Sequence, residues 1–161
     1  QEGGFQGISE YQKGIRAKYD NAVLYNDFVV NEIIRRFERE SAIIIYVSDH
    51  GEEVFDESNF AGHGGNSRHN FEIPMLIWTS KRFRDAYPAL DHRIASSLNR
   101  PFMTDDMIHV LLDIMGIATE EYDARKSVIN NEFDFTRQRI CSRGNHARRY
   151  GEHLYDKGVL K

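Results

Sequence analysis

The chain of 161 residues is long enough to bury one hydrophobic core of ordinary size. Its 40% hydrophobic and 29% charged residues exclude an intrinsically disordered chain, and its net charge of -4 provides no general basic surface for nucleic acid. Its apolar runs are too short to cross a bilayer, and its single cysteine, Cys141, cannot form an internal disulfide.

The first part of the chain predicts a long helix. Residues 1–16 are polar and glycine-rich, and we expect them to be loosely packed. From about residue 17 to residue 40, apolar residues recur every three or four positions, which predicts a helix with one apolar face. These residues are Val23, Leu24, Phe28, Val29, Ile33, Ile34 and Phe37. A helix followed by a strand is half of a βαβ unit, so we expect a longer protein to supply a strand before residue 1.

Residues 42–51, with the sequence AIIIYVSDHG, predict a strand that ends in polar side chains. Five apolar residues in a row, most of them β-branched, are typical of a strand buried on both faces of a parallel sheet. Because ligands of α/β sheets bind beyond the carboxyl ends of strands, Asp49 and His50 are candidate ligands of one metal ion. Gly51 allows the turn that would bring both side chains to one side. The same residues also fit the capped start of a helix or loop with an exposed His50.

A long polar loop and a second strand follow. Residues 52–72 form the loop, which contains two histidines and three glycines, and loops of this length are often functional. The apolar residues 73–79 predict a buried strand with Pro74 close to its start, where the missing N–H does least harm.

The remaining elements are helical. Residues 80–99 predict short helices interrupted at Pro88. Residues 104–115 predict an amphipathic helix with its N-cap at Thr104 or Asp105 and its end at Gly116. No element is predicted for residues 118–136.

Four strings, YDNAVLYNDFVVNEII, IIIYVSDHGEE, FAGHGG and FEIPMLIW, occur in this order between about Tyr19 and Gly116. In order and spacing they resemble the carboxy-terminal part of the sulfatase-type catalytic domain of the alkaline phosphatase superfamily. Within it, the chain most resembles bacterial phosphoethanolamine transferases that modify lipopolysaccharide. The resemblance implies an α/β, alkaline-phosphatase-like layered fold, in which helices flank a largely parallel sheet. It also implies that residues 1–161 are the carboxy-terminal portion of such a domain, with 1–16 and 143–161 loose and the amino-terminal half missing.

The resemblance implies that the parent enzyme transfers phosphoethanolamine from a phospholipid to lipid A or a core sugar of lipopolysaccharide, through a zinc-bound threonine. The parent enzyme would act at the periplasmic face of the bacterial inner membrane, held there by an amino-terminal region absent from this chain, and would bind no nucleic acid. Nothing before Asp49 fits the setting of the threonine nucleophile. We therefore expect the isolated chain to bind zinc weakly and to be inactive.

The resemblance also implies roles for individual residues. Asp49 and His50 match the zinc ligands, and His63 matches a histidine that contacts the phosphate or a second metal. A cationic or metal-bound His63 would oppose the negative charge that develops on the phosphoryl group. Glu52 is a weaker candidate that would orient His50 through a hydrogen bond, and His69 is the alternative to His63. The neighbouring acid, Glu53, fits either that orienting role or a solvated position in the loop.

Several alternatives stay open at this point. Sulfatases and phosphodiesterases of the same superfamily use water as the final acceptor and share this half of the site. A non-catalytic sulfatase-like domain that binds glycan or protein, and an unrelated α/β domain with a chance DHG sequence, also fit. Aspartate and histidine favour zinc, with calcium or manganese as alternatives. The five arginines of residues 137–149 fit either a solvated basic segment or a contact with anionic lipid headgroups and lipopolysaccharide phosphates.

Overall fold

The computed structural model describes residues 7–65, 67–143 and 146–150, and for residues 142, 143 and 146–149 it describes the backbone alone. Within these residues the chain forms four α-helices and six strands. In chain order they are α1 (Glu10–Phe37), β1 (Ile43–Val47), β2 (Glu53–Val54), β3 (Ala61–Gly62), β4 (Met75–Thr79), α2 (Lys81–Ala86), α3 (Pro88–Ala95), α4 (Met107–Met115), β5 (Ile140–Arg143) and β6 (His146–Arg149). Short 3-10 turns occupy Arg68–Asn70, Thr104–Asp106 and Ala124–Lys126.

Helix α1 begins at Glu10, several residues before the predicted start. Ser9 and Gln12 form a capping box: Ser9 Oγ accepts from the Gln12 N–H at 3.3 Å, and Gln12 Oε1 accepts from the Ser9 N–H at 2.7 Å. This reciprocal cap explains the early start and places residues 10–16, which we expected to be loose, inside the helix. At the other predicted loose end, 143–161, residue 143 lies in β5 and residues 146–149 form β6, so this part of the expectation is also wrong. Residues 1–6, 144–145 and 151–161 lie outside the described residues.

The predicted apolar face of α1 is present, but the described residues do not bury it. No residue of α1 is buried, and Val23, Leu24 and Phe28 are 50%, 68% and 57% exposed. Polar groups of the helix contact the rest of the structure. Asn26 Nδ2 donates to the hydroxyl of Tyr46 in β1 at 2.7 Å, and Arg16 donates to the backbone carbonyls of Val54 and Phe55 at the end of β2.

Strands β1 and β4 pair antiparallel, with Ile43 opposite Thr79 and Val47 opposite Met75. The expected parallel sheet is therefore not found in this pair, and the other two described strand pairs, β2–β3 and β5–β6, are also antiparallel. The segment that connects β1 to β4 explains why the two strands are antiparallel. A parallel pair needs a crossover, usually a helix, whereas the described residues between β1 and β4 form a short hairpin and a 3-10 turn without an α-helix.

The helices after β4 follow the sequence pattern closely. Ser80 Oγ accepts from the Phe83 N–H at 3.1 Å and caps α2, and Pro88 is the first residue of α3, as the predicted interruption requires. Helix α4 ends at Gly116, whose φ of 65° is the left-handed conformation expected of a glycine C-cap. Its N-cap is Asp106 rather than Thr104 or Asp105, because residues 104–106 form a 3-10 turn.

The core lies between the β1–β4 pair and helices α3 and α4. Its buried residues are Ile94, Val110, Val128, Ile129 and Phe133. Ile43, Met75 and Ile77 of the two strands pack against them. Three of the buried residues come from 118–136, where no element was predicted. Within the described residues, no helix is long and apolar enough to span a membrane.

Candidate active site and metal ligands

The polar turn after β1 brings Asp49 and His50 to the same side. Asp49 Oδ1 accepts from the His50 N–H at 2.9 Å, and Ser48 Oγ donates to the His50 carbonyl at 2.7 Å. Asp49 Oδ2 then lies 3.8 Å from His50 Nε2. Two ligands that are each about 2.0–2.1 Å from one tetrahedral zinc ion are roughly 3.3 Å apart, so this pair is close to chelating distance.

The hydrogen bonding of His50 leaves the nitrogen nearer to Asp49 free for a metal. His50 Nδ1 lies 3.1 Å from the Gly51 carbonyl oxygen. A carbonyl only accepts, so Nδ1 carries the proton and Nε2 keeps its lone pair when the ring is neutral. This arrangement, in which a backbone carbonyl orients the ring, is usual for histidines that bind zinc.

Gly51 is needed because the turn packs directly on another backbone segment. The Gly51 N–H donates to the Asn70 carbonyl at 3.2 Å, and a Cβ atom at Gly51 would lie 2.0 Å from the carbonyl oxygen of His69. The end of β1 is thereby fixed against residues 69–72, and any side chain at Gly51 would push the two segments apart.

The structure brings His63 beside His50. Their ring centroids are 4.4 Å apart, and His63 Nδ1 lies 3.1 Å from Glu52 Oε1. The neighbouring glycines, Gly62 and Gly64, have φ values of 137° and 95°, which residues with a side chain rarely adopt. The backbone conformation therefore explains why glycines flank His63. Glu52 therefore contacts His63 rather than His50, the partner proposed for it from sequence.

His69 contacts a different acid from the one that contacts His63. Its Nε2 lies 3.5 Å from Glu57 Oε1, and its side chain is 30% exposed, compared with 64% for His63. The structure thus places His63, and not His69, against His50, while the role of either histidine stays a prediction.

The described residues do not contain a complete zinc site. They contain no group of three or more His, Cys, Asp or Glu side chains arranged to hold a metal ion. Asp49 and His50 have the right donor atoms and spacing, but structural and catalytic zinc sites use three or four protein ligands. The side chain of Asp49 is 88% exposed and that of His50 is 45% exposed, so both are accessible to further ligands from outside these residues.

Glu53 is a buried acid whose importance the sequence did not reveal. It is 3% exposed, which excludes the solvated position that the sequence allowed. Its Oε1 accepts from Ser58 Oγ at 2.7 Å and from the Glu57 N–H at 3.2 Å. Burial alone would raise the pKa of Glu53, but these bonds and one from Ser67 outweigh it and lower the pKa. Glu53 therefore holds together the loop that connects His50 to His63.

A pocket of about 720 Å³ opens beside these groups. Its lining includes the polar residues His50, His63 and Glu72 and the apolar residues Ile94, Leu98 and Phe102. Its volume is typical of sites for small molecules. The site therefore joins two histidines and an exposed carboxylate to a cavity that accommodates a ligand with polar and apolar parts.

Comparison with known proteins identifies the family. The Sulfatase family profile matches residues 1–117. The chain belongs to the sulfatase family. It is 36% identical over 124 residues to phosphoethanolamine transferase EptC of Escherichia coli (strain K12), which covers 73% of this chain and 21% of EptC. It is 34% identical over 100 residues to phosphoethanolamine transferase CptA of Salmonella typhimurium, which covers 60% of this chain and 17% of CptA.

Solved structures confirm the fold of this sulfatase-family chain. The crystal structure of the C-terminal periplasmic domain of EptC from Escherichia coli superposes with a TM-score of 0.84 at 29% identity, over 99% of this chain and 46% of that domain. The same domain in complex with Zn gives a TM-score of 0.83 at 30% identity. The expected sulfatase-type, alkaline-phosphatase-like fold is confirmed. The chain spans less than half of the solved domain and about a fifth to a quarter of the EptC sequences.

Proposed function

We propose that this chain is the carboxy-terminal part of the catalytic domain of a phosphoethanolamine transferase. The observation that supports the proposal most is the juxtaposition of Asp49, His50 and His63 in a chain that resembles EptC in sequence and fold. The donor would be a phospholipid, and the acceptor a lipid A or core sugar group of lipopolysaccharide. The protein would act at the periplasmic face of the bacterial inner membrane and would be attached there by a region outside residues 1–161.

Asp49 and His50 would hold a zinc ion together with further ligands from the rest of the domain. Bound zinc lowers the pKa of a coordinated hydroxyl and neutralises charge on phosphoryl oxygens. The zinc complex of the EptC domain, a protein of similar fold, supports zinc as the metal.

His63 would bind the phosphoryl group of the substrate. Glu52 fixes this ring, because an ionised carboxylate only accepts and His63 Nδ1 must therefore donate to it. His63 lines the pocket, where a protonated ring would donate from Nε2 to a phosphoryl oxygen and would oppose its negative charge. The nucleophile would come from the missing part of the domain.

The missing part would also complete the sheet. Among the described residues, β1 pairs along one edge only, with β4, and its other edge is open to a further strand. We propose that strands from the rest of the domain pair with the other edge of β1 and give the largely parallel sheet that the family resemblance implies.

The test compares zinc affinity in the full-length protein and in the isolated chain, measured by competition with a chelator of known affinity. We expect Asp49→Ala to weaken zinc binding by at least about 100-fold in the full-length protein, because losing only the hydrogen-bond partner of a ligand costs about 10- to 100-fold. His69→Ala is the matched control and should leave zinc affinity unchanged. The isolated chain should bind zinc weakly and turn over no phosphodiester.

Product analysis separates the proposed transferase from a hydrolase of the same family. A transferase moves phosphoethanolamine to a lipopolysaccharide acceptor, and a hydrolase releases it to water. Unchanged zinc content in Asp49→Ala, or tight stoichiometric zinc in the isolated chain, would contradict the proposal.

A further inference from the structure

The strand pair β5–β6 places two residues that have no role in the candidate site described so far at the pocket lined by His50 and His63. Arg139 and Tyr150 flank this hairpin, and the Tyr150 N–H donates to the Arg139 carbonyl at 2.9 Å. Both side chains line the pocket that His50 and His63 also line. The carboxy-terminal hairpin thus adds a cationic group to the wall of the candidate active site.

Arg139 is held in position by the aromatic ring of Tyr150. Its guanidinium carbon lies 4.8 Å from the ring centroid, which is cation–π distance. The Tyr150 hydroxyl in turn donates to Glu72 Oε1. Burial and the neighbouring Glu72 raise the pKa of Tyr150 to about 12, so the hydroxyl keeps its proton at neutral pH and the ring stays tied to Glu72.

The guanidinium of Arg139 is available to a ligand. Within the part of the chain that the structure describes, Arg139 forms no ion pair with a carboxylate, whereas Arg16, Arg93 and Arg137 each do. Arg137, its neighbour among the five arginines of residues 137–149, pairs with the buried Asp106 and is structural. The side chains of Arg143, Arg148 and Arg149 lie outside the described residues.

We propose that Arg139 is a phosphate-binding residue that positions a phosphate-bearing ligand in the pocket shared with His50 and His63. A guanidinium offers paired N–H donors that match two oxygens of a phosphate, and stacking on Tyr150 reduces the freedom lost on binding. The choice of ligand rests on the proposed function. The phosphate belongs either to the phosphodiester of the donor lipid or to a sugar phosphate of the acceptor.

Two soluble probes distinguish these sources in the full-length protein with its metal removed by chelation. Glycerophosphoethanolamine represents the donor diester, and glucose 1-phosphate represents a sugar phosphate acceptor. We expect Arg139→Gln to weaken binding of one of them by about tenfold or more in calorimetric titration, the size of effect expected for a lost charge-assisted hydrogen bond. The probe that loses affinity identifies the source of the phosphate.

Three further variants separate phosphate binding from a merely structural role. Arg139→Lys keeps the charge and should restore part of the affinity, and Tyr150→Phe keeps the ring under Arg139 and should change affinity little. Arg125→Gln is the matched control, because Arg125 pairs with Asp123 and is not among the residues that line the pocket. Thermal unfolding of each variant checks that the fold is retained.

Equal affinity of wild type and Arg139→Gln for both probes would overturn the inference, and so would a wild-type protein that binds neither probe. The inference and the proposed function can fail separately. A protein that transfers no phosphoethanolamine but binds phosphate through Arg139 contradicts only the function. If the protein transfers phosphoethanolamine but its phosphate affinity is unchanged by Arg139→Gln, only the inference is contradicted.

Discussion

Gly51 shows how one residue can determine the geometry of the candidate site. A Cβ atom there would lie 2.0 Å from the His69 carbonyl oxygen, a backbone atom that no change of rotamer can move. We expect Gly51→Ala to lower the free energy of unfolding by about 1–3 kcal/mol, the usual cost of overpacking. Denaturant titration measures this change.

A second glycine provides the control for Gly51. Gly14 lies inside α1, and a Cβ atom there would meet no atom within 4 Å. Gly14→Ala should raise stability by about 0.5–1 kcal/mol, because alanine loses less conformational freedom in a helix. A Gly51→Ala protein as stable as wild type would contradict the close packing of the turn on residues 69–72.

Some site residues could be predicted from sequence because their signal is local. An apolar run that stops at polar residues indicates where a strand ends, so Asp49 and His50 could be placed beyond β1. Glu53 could not be found this way. Its burial depends on Ser58 and Ser67, whose positions follow from the path of the whole loop, and an acid in a polar loop has no distinctive pattern.

Asp113 of α4 connects three segments of the core. Its Oδ1 accepts from Arg93 of α3 at 2.8 Å, and its Oδ2 accepts from Ser127 at 2.8 Å and Asn130 at 2.9 Å. The side chain is 8% exposed. Asp113→Asn should cost about 2–3 kcal/mol of unfolding free energy, because it leaves a partly buried arginine without its carboxylate. Asp85→Asn, which breaks the exposed Lys81 pair, should cost less than about 0.5 kcal/mol.

The contribution of Asp113 to stability also depends on pH. Burial would raise its pKa, but the hydrogen bonds from Asn130, Arg93 and Ser127 outweigh burial and lower the pKa from its ordinary value of 3.8. The unfolded chain therefore takes up the proton first, so the stabilisation is present above about pH 3.8 and is lost as the pH falls through the folded-state pKa. Between about pH 5 and pH 2, wild type should lose more unfolding free energy than Asp113→Asn. Parallel losses in the two proteins would argue against this network.

The elements that sequence predicted best are those with strong local signals. Pro88 and Gly116 marked a helix start and a helix end correctly, because each restricts or permits one backbone conformation. The core segment 127–133 was missed because Val128 and Ile129 stand among polar residues without a helical or strand period. Contacts with Asp113, distant in sequence, hold that segment in the core. The antiparallel pairing of β4 with β1 could not be predicted, because residue pattern alone does not specify which neighbour a strand pairs with.

On the scale of the whole molecule, the exposed face of α1 suggests a missing partner surface. Helices whose apolar face is about half exposed are unusual in complete domains, and this chain spans 46% of the solved EptC domain. The rest of the catalytic domain would cover this face in the full-length protein. A substitution on the apolar face of α1 should therefore change the free energy of unfolding of the full-length protein more than that of the isolated chain.

The double variant Leu24→Gln and Phe28→Gln tests this difference. In the isolated chain, both side chains are exposed, so unfolding free energy should change by less than about 0.5 kcal/mol at each site, and any self-association seen by sedimentation velocity should decrease. In the full-length protein, each substitution should cost about 1.5–3 kcal/mol, the value of burying a large apolar side chain. Tyr11→Gln, at a 78% exposed position of the same helix, is the control and should have little effect in either protein. Equal small effects of the double variant in both proteins would show that the rest of the domain does not cover α1.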